Sequence, residues 1–100
     1  MTKADLVEQV ADAIGPGVTK KDCALVVDGF LNAVKEALAE GENIEIRGFG
    51  TFKIRKRKSR VARNPRTGDE VQVPARSVPV FKPSKHLRAR VEDVEPQKAR

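Results

Sequence analysis

The sequence predicts an α+β protein that forms a dimer, with a helical base, an antiparallel sheet and a long two-stranded ribbon. Three observations support this fold class. The first 41 residues repeat apolar side chains at helical spacing and contain two glycine stop signals. Residues 44–47, 51–55 and 71–81 alternate apolar and polar side chains, as half-buried strands do. The chain has 100 residues and one cysteine, so a single copy has a small core and no disulfide to stabilise it.

Two helices begin the chain. Thr2 and Thr19 each precede an aspartate by three residues, which is the spacing of a capping box, and Gly41 ends the second helix. The second helix carries a wide apolar stripe assigned to the core or the dimer interface: Val26, Val27, Phe30, Leu31, Val34 and Leu38. Two short helices cannot cover this stripe between them, so we expect a second copy of the chain, or a paralogous chain, to cover it. A single-chain core under the sheet is the alternative.

The middle of the chain predicts three antiparallel strands. Apolar and polar residues alternate over 44–47, 51–55 and 71–81, and Pro74 and Pro79 indicate an edge or ribbon position for the last of these. The strand and turn residues assigned to the core or dimer interface are Ile44, Ile46, Phe49, Phe52 and Phe81. We expect the second and third strands to continue beyond the sheet as a ribbon arm at about residues 55–75.

A short helix is expected near the C-terminus. Ser84 is its predicted N-cap, and Leu87 and Val91 lie on its predicted buried face. Basic residues crowd its start and acidic residues follow at 92–95, an order opposite to the one that the helix dipole favours. A phosphate bound at the helix start would turn this electrostatic cost into a favourable interaction. The alternative is that these basic side chains form a solvated helix face. The predicted single domain spans 1–95, followed by a flexible tail at 96–100.

Positive charge is concentrated in the second half of the chain. Residues 1–50 contain 5 basic and 9 acidic residues, a net of −4, and residues 51–100 contain 15 basic and 5 acidic residues, a net of +10. The segment 53–68 has eight basic residues and no acid. Such a segment predicts a surface that binds a polyanion. A disordered basic tail is the alternative, but the segment lies between strand-like sequences, which favours a structured arm.

The composition of the arm favours double-stranded DNA as the polyanion. Residues 55–75 contain no aromatic side chain, which argues against stacking on unpaired bases. A two-stranded ribbon fits a groove of the duplex, and arginines suit the electronegative minor groove. Pro65 has two interpretations: an ordinary turn residue, or a rigid apolar wedge that enters a base step. The sequence pattern does not separate them.

Other functional classes lack their characteristic residues. His86 is the only histidine and Cys23 the only cysteine, so there is no zinc ligand set and no catalytic triad. Asp69 and Glu70 fit an ordinary hairpin flank better than a nuclease centre. We therefore expect no enzyme activity, cofactor, metal or small-molecule substrate. The N-terminus begins no apolar leader and no membrane span is visible, so a cytoplasmic protein is expected. A structural RNA-binding protein is the remaining alternative.

Three motifs occur together in a recognisable order. They are Gly48-Phe49-Gly50-Thr51-Phe52, Arg63-Asn64-Pro65-Arg66-Thr67-Gly68 and Val80-Phe81-Lys82-Pro83-Ser84-Lys85. This arrangement, from about residue 2 to residue 91, resembles the HU and integration host factor family of bacterial histone-like, DNA-bending proteins. The resemblance implies an intertwined, nucleoid-associated dimer with a helical base, a three-stranded β saddle and two arms that wrap the DNA minor groove.

The resemblance also implies roles for individual residues. Pro65 matches the arm-tip proline that wedges between base pairs in this family, and Lys85 matches a lysine that holds a backbone phosphate. Lys3 matches a similar position near the first helix. The predicted DNA-binding residues are Lys3, Arg47, Lys53, Arg55, Arg57, Lys58, Arg60, Arg63, Asn64, Pro65, Arg66, Thr67, Arg76, Lys82, Ser84 and Lys85.

Some residues depart from the family pattern. Ala62 and Ser84 stand where the family usually has glycine, and the tail after Val91 is similar to the ending of integration host factor α subunits. The branch of the family therefore stays open. An HU-like protein would bind DNA largely without sequence preference. An integration-host-factor-like protein would bend preferred sites in recombination, replication and transcription. A homodimer and a heterodimer are equally compatible with the sequence.

Overall fold

The computed structural model describes residues 1–96, which form three helices and five strands. In chain order they are α1 (Lys3–Ile14), α2 (Lys20–Ala39), β1 (Ile44–Ile46), β2 (Gly50–Arg57), β3 (Arg60–Arg63), β4 (Glu70–Val73), β5 (Arg76–Pro83) and α3 (Lys85–Val91). A three-stranded antiparallel sheet has the order β1-β2-β5, and β3 pairs with β4. The predicted α+β class, three-stranded sheet and ribbon arm are confirmed. Most of the predicted tail, residues 97–100, lies outside the described residues.

The two long helices have the caps that the sequence predicted. The Asp5 N–H donates to Thr2 Oγ1 at 3.4 Å, and the Thr2 N–H donates to the Asp5 carboxylate at 2.8 Å, which completes a capping box. Thr19 is the N-cap of α2, since its Oγ1 accepts a hydrogen bond from the Asp22 N–H at 3.1 Å, but the return bond of a capping box is not formed there. After α2, Gly41 has φ 86°, and the N–H groups at 41 and 42 bond to carbonyls in the last turn. This Schellman ending turns the chain towards β1.

One register runs through the whole ribbon. The β2–β5 ladder ends at the pair Arg57–Arg76, and the β3–β4 ladder resumes at Arg60–Val73 in the same antiparallel register, since the two numbers of every pair add to the same value in both ladders. The two ladders are therefore halves of one long hairpin, interrupted for two residues on each strand. Pro74 lies in this interruption and has no N–H to donate, which explains why the ladder breaks there.

The ribbon makes the protomer elongated. Its radius of gyration is 18.7 Å, with extents of 59 × 35 × 29 Å, whereas a compact domain of this length has a radius of about 13 Å. β5 is an edge strand of the sheet, as the proline pattern predicted. Pro79 pairs with Ile54, whose N–H points away from β5 and donates to Asn43 Oδ1 at 3.1 Å. Since the two backbone nitrogens of such a pair point in opposite directions, the nitrogen of Pro79, which carries no hydrogen, faces the open edge of the sheet.

The protomer buries very few apolar side chains. Among the described residues only Val7 and Cys23 are fully buried apolar residues. Of the predicted core and interface positions, those partly covered are Val27, Val34, Leu38, Ile44, Ile46, Phe52 and Leu87. Those exposed are Val26, Phe30, Leu31, Phe49 and Phe81. Val91 is also exposed, so the prediction of a buried face along α3 is wrong at that position for one protomer. A self-contained core does not fit these exposures, and the dimer stays a prediction.

An aromatic cluster joins the sheet to the turn before it. The Phe81 ring centroid lies 5.2 Å from that of Phe49 and 5.0 Å from that of Phe52. A Cβ atom at Gly50 would come within 2.6 Å of the Phe81 ring, so glycine is required for this close approach. The Ser84 N–H donates to the Phe49 carbonyl at 2.9 Å. This bond holds the start of α3 beside the β1–β2 turn.

Candidate nucleic-acid interface

Strand alternation places cations on one face of the three-stranded sheet. On β2, Phe52, Ile54 and Lys56 lie on the same face of the sheet, because alternate residues of a strand share a face. On this face Ile54 lines a groove together with residues of α2. The intervening residues and their partners on β5 lie on the opposite face, which we call the outer face. Its cations are Lys53, Arg55, Arg57, Arg76 and Lys82. The register thus brings five predicted DNA-binding side chains to one surface.

A second group of cations lies beside the outer face. A shallow groove of about 450 Å³, the flank groove, is formed by the β1–β2 turn, the sheet and the start of α3. Its cationic lining residues are Arg47, Lys53, Lys82, Lys85 and Arg88. Arg88 was not among the predicted site residues. It lies three positions after Lys85, so helical periodicity alone would have placed the two side chains on the same side of α3.

The charge order predicted for α3 holds only in part. Lys85 is the first helical residue, no acid lies in the first turn and Glu92 is the C-cap, as the reversed order requires. The helix ends at Val91, however, so Arg88 and Arg90 lie in its last turn, where cations are favoured. Ser84 is the N-cap as predicted, since its Oγ accepts a hydrogen bond from the Leu87 N–H at 3.0 Å. The electrostatic reason for a phosphate at the helix start is therefore weaker than the sequence suggested, and the phosphate-binding role of Lys85 stays a prediction.

The interruption in the ribbon forms a cationic hollow, which we call the arm bend. Its volume is about 660 Å³, and its lining includes Ser59 and Pro74 from the interruption. Both strands contribute its cations, which are Arg57, Lys58, Arg60 and Arg76. The arm bend links the outer face to the distal ribbon. Predicted contact residues thus continue from the sheet towards the tip.

Hydrogen bonds within the chain order the arm tip. Asn64 Oδ1 accepts a hydrogen bond from the Arg66 N–H at 2.8 Å, and Thr67 Oγ1 accepts one from the Asp69 N–H at 3.2 Å. The predicted DNA-contact side chains of Asn64 and Thr67 therefore also organise the turn. Pro65 is exposed in this turn. Its position is compatible with both interpretations of the proline.

Two predicted DNA-binding cations already have partners within the protein. Lys3 Nζ lies 2.7 Å from Asp28 Oδ1, and both side chains are about half exposed. Arg63 Nη1 donates to the Gly68 carbonyl at 2.8 Å, and its Nη2 lies 3.9 Å from Glu70 Oε1. Exposed ion pairs contribute little to stability, so a DNA phosphate can compete for either cation.

The described part of the chain offers few other kinds of site. Within residues 1–96, no helix has the length and apolar character needed to cross a membrane. No cluster of three or more His, Cys, Asp or Glu side chains in that range could hold a metal ion. Cys23 is a free thiol buried in α2. The candidate site consists of the cationic surfaces described above.

Sequence comparisons decide the family. A family model described as "Bacterial DNA-binding protein" matches residues 1–92. The chain belongs to this bacterial DNA-binding family. One relative in it, integration host factor subunit beta from Burkholderia cenocepacia, is 50% identical over 92 residues, covering 92% of this chain and 85% of the relative. The subunit from Burkholderia mallei is 49% identical over the same shares of both chains. The family model ends at residue 92. Residues 93–100, which form most of the tail that was compared with integration host factor α subunits, therefore lie outside that match.

Solved structures of family members share the fold. HU from Anabaena, in a cocrystal with DNA, superposes with a TM-score of 0.85 and is 38% identical, covering 93% of this chain and 99% of that one. HU from Thermotoga maritima gives a TM-score of 0.64 at 34% identity, covering 91% and 98%. The resemblance to the HU and integration host factor family is therefore confirmed.

Proposed function

We propose that the protein is an architectural DNA-binding protein, which wraps the minor groove with its arm and bends the duplex. The observation that carries this proposal is the single register of the ribbon, which connects the cations of the outer face to those of the arm bend and tip. Family membership supports DNA as the polyanion. The lack of aromatic side chains in the arm supports a duplex over the unpaired bases of the RNA alternative.

Bending is favourable only if new contacts offset its cost. Unstacking one base step costs a few kcal/mol, and bending a site smoothly adds roughly 1–6 kcal/mol. Phosphates held by the outer face, the flank groove and the arm bend would release counterions, which favours binding. The outer face shares Lys53 and Lys82 with the flank groove, and Arg57 and Arg76 with the arm bend, so a duplex that curves around the protomer can contact all three surfaces.

The proposed active form is a dimer. The exposed stripe on α2 and the exposed rings of Phe49 and Phe81 need a cover that one protomer does not supply. A second copy would supply it and would add a second arm on the other side of the DNA. A homodimer and a heterodimer with a paralogous chain would use the same surface.

Cellular location and chemistry follow from the same proposal. We place the protein in the bacterial cytoplasm, bound to the nucleoid, because its family is one of bacterial DNA-binding proteins. Its proposed role is to shape DNA, without catalysis and without a small-molecule substrate. Incubation of purified protein and Mg²⁺ with supercoiled plasmid checks this, and protein-dependent cleavage would contradict it.

A second candidate function is sequence-preferring bending. It is favoured by the 50% identity to an integration host factor subunit, compared with 38% to the Anabaena HU. Footprinting on a pool of random duplexes separates the two candidates. Recovery of a shared motif supports the integration-host-factor-like function. Uniform protection without a motif supports the HU-like function.

Replacement of Pro65 tests the bending mechanism. Pro65→Ala is expected to lower the DNA bend angle, while affinity changes by less than about tenfold, because phosphate contacts supply most of the affinity. Pro65→Leu should retain more of the bend, since leucine also serves as an apolar wedge. End-to-end fluorescence transfer in a labelled duplex measures the angle.

Two outcomes of this experiment would change the proposal. An unchanged angle in Pro65→Ala would reduce Pro65 to a turn residue. A straight duplex with the unaltered protein bound would contradict the proposed function itself.

Neighbouring residues on β2 test the assignment of the outer face. Arg55→Gln should reduce the slope of log affinity against log salt by about 1, because it removes one phosphate contact. Lys56→Gln removes an equal charge from the opposite face of the same strand and should reduce the slope less. Fluorescence anisotropy titrations at several salt concentrations measure both slopes. Equal reductions would show that the face of the strand does not decide which cations contact DNA.

A further inference from the structure

Arg63 makes contacts across the base of the arm tip. It is the last residue of β3 and lies opposite Glu70, the first residue of β4. Its guanidinium group donates from Nη1 to the Gly68 carbonyl at 2.8 Å and places Nη2 3.9 Å from Glu70 Oε1. One side chain thus joins the first strand of the distal ribbon to the returning side of the loop.

The Gly68 carbonyl belongs to the most constrained part of this loop. Gly68 has φ 76°, in the left-handed region, and its N–H donates to the Asn64 carbonyl at 2.7 Å. The Asn64 N–H donates to the Asp69 carbonyl at 2.8 Å. These bonds close the loop around Pro65, and the bond from Arg63 adds a side-chain constraint on the orientation of the peptide after Gly68.

We infer that Arg63 is a positioning residue for the wedge, in addition to being a cation near the groove. It holds the tip turn in the conformation that presents Pro65 before DNA arrives. A loop ordered in advance loses less conformational entropy when it inserts into a base step, so more of the contact energy is available for bending. This inference rests on the proposed bending function.

Arg60 offers a matched comparison on the same strand. It carries the same charge and lies opposite Val73, in the lining of the arm bend, three residues before Arg63. The contacts at the tip are made by Arg63. Replacement of either arginine by glutamine removes one positive charge. Only the replacement of Arg63 is expected to loosen the tip turn.

Hydrogen exchange in the free protein tests the positioning role without DNA. In Arg63→Gln, the N–H groups of Asn64 and Gly68 should exchange about 2- to 10-fold faster, as expected for the loss of one exposed hydrogen bond. Arg60→Gln should leave these two rates as they are. Equal rates in the two variants would overturn the inference, whether or not the protein bends DNA.

Charge-preserving variants test the role on DNA. Arg63→Lys keeps the cation but lacks the planar fork that reaches the carbonyl and Glu70 together. We expect it to keep the salt slope of the unaltered protein and to lose more bend angle than Arg60→Lys. Equal bend angles in the two lysine variants would overturn the inference. Failure of the unaltered protein to bend DNA would instead defeat the proposed function, and the exchange experiment would still decide the role of Arg63 in the tip.

Discussion

DNA binding is expected to weaken by about 10³–10⁵-fold when the salt concentration rises from 50 to 200 mM. The outer face, flank groove and arm bend together offer enough cations for about 6–10 phosphate contacts, and each contact releases counterions. Anisotropy titrations with a labelled duplex at several salt concentrations measure this slope. The protein's overall charge of +6 understates the effect, because the acidic residues lie mainly in the first half of the chain.

A variant of the outer face supplies the control for this prediction. Replacement of Lys53, Arg55 and Arg57 together by glutamine should lower the salt slope by about 3, since roughly one unit is lost for each phosphate contact. These side chains lie on the sheet face that points away from Phe52 and Ile54, so the fold should tolerate the change. Binding by the unaltered protein that is nearly independent of salt would remove the electrostatic basis of the proposed function.

Val26→Asp is expected to abolish the dimer and, with it, the folded protein. In one protomer this valine is 71% exposed, although it lies on the apolar stripe of α2. In the proposed dimer a carboxylate would enter an apolar interface twice, at about 2–3 kcal/mol each, which raises the dimer Kd by about 10³–10⁴-fold. Within residues 1–96 of each protomer only two apolar side chains, Val7 and Cys23, are buried, so separated chains should unfold. Circular dichroism and sedimentation at several protein concentrations measure both effects.

Leu25→Asp is the matched control. Leu25 is adjacent in sequence and similarly exposed, at 64%. At 3.6 residues per turn, however, it points to the helix face opposite Val34, together with the polar Asn32 and Glu36. The change should therefore leave the dimer and the melting temperature nearly unaltered. Equal tolerance of both substitutions would show that the stripe is not an interface, and equal damage would indicate an interface on a different face of α2.

Much of this fold is visible in local sequence, because its signals act over a few residues. The N-caps Thr2, Thr19 and Ser84 were confirmed, with a complete capping box at Thr2, as was Gly41 at the end of α2. The charge distribution along α3 was predicted only in part. The sequence suggested a short helix with a reversed charge order, whereas the helix ends at Val91 and has Arg88 and Arg90 in its last turn. Polar residues after a short apolar pattern do not show where a helix stops.

The candidate site was predicted as a set of residues and not as an arrangement. Arg88 was missed although its spacing from Lys85 places both on one side of α3, and its membership of the flank groove follows from the position of α3 beside the β1–β2 turn. Arg63 was predicted as a groove contact, and its bond to the Gly68 carbonyl could not be foreseen from spacing. Contacts of this kind depend on the loop conformation and on the direction of one side chain.

The sequence by itself determined the secondary structure, the polyanion-binding character and the family, since composition, periodicity and three short motifs are local properties of the chain. Only the tertiary structure decided that one register carries the ribbon from the sheet to the tip. It also decided which face each cation occupies and which of them, Lys3 and Arg63, already have partners. The physical reason is that strand pairing and loop closure bring together residues far apart in the chain, and their relative placement depends on geometry that no local pattern specifies.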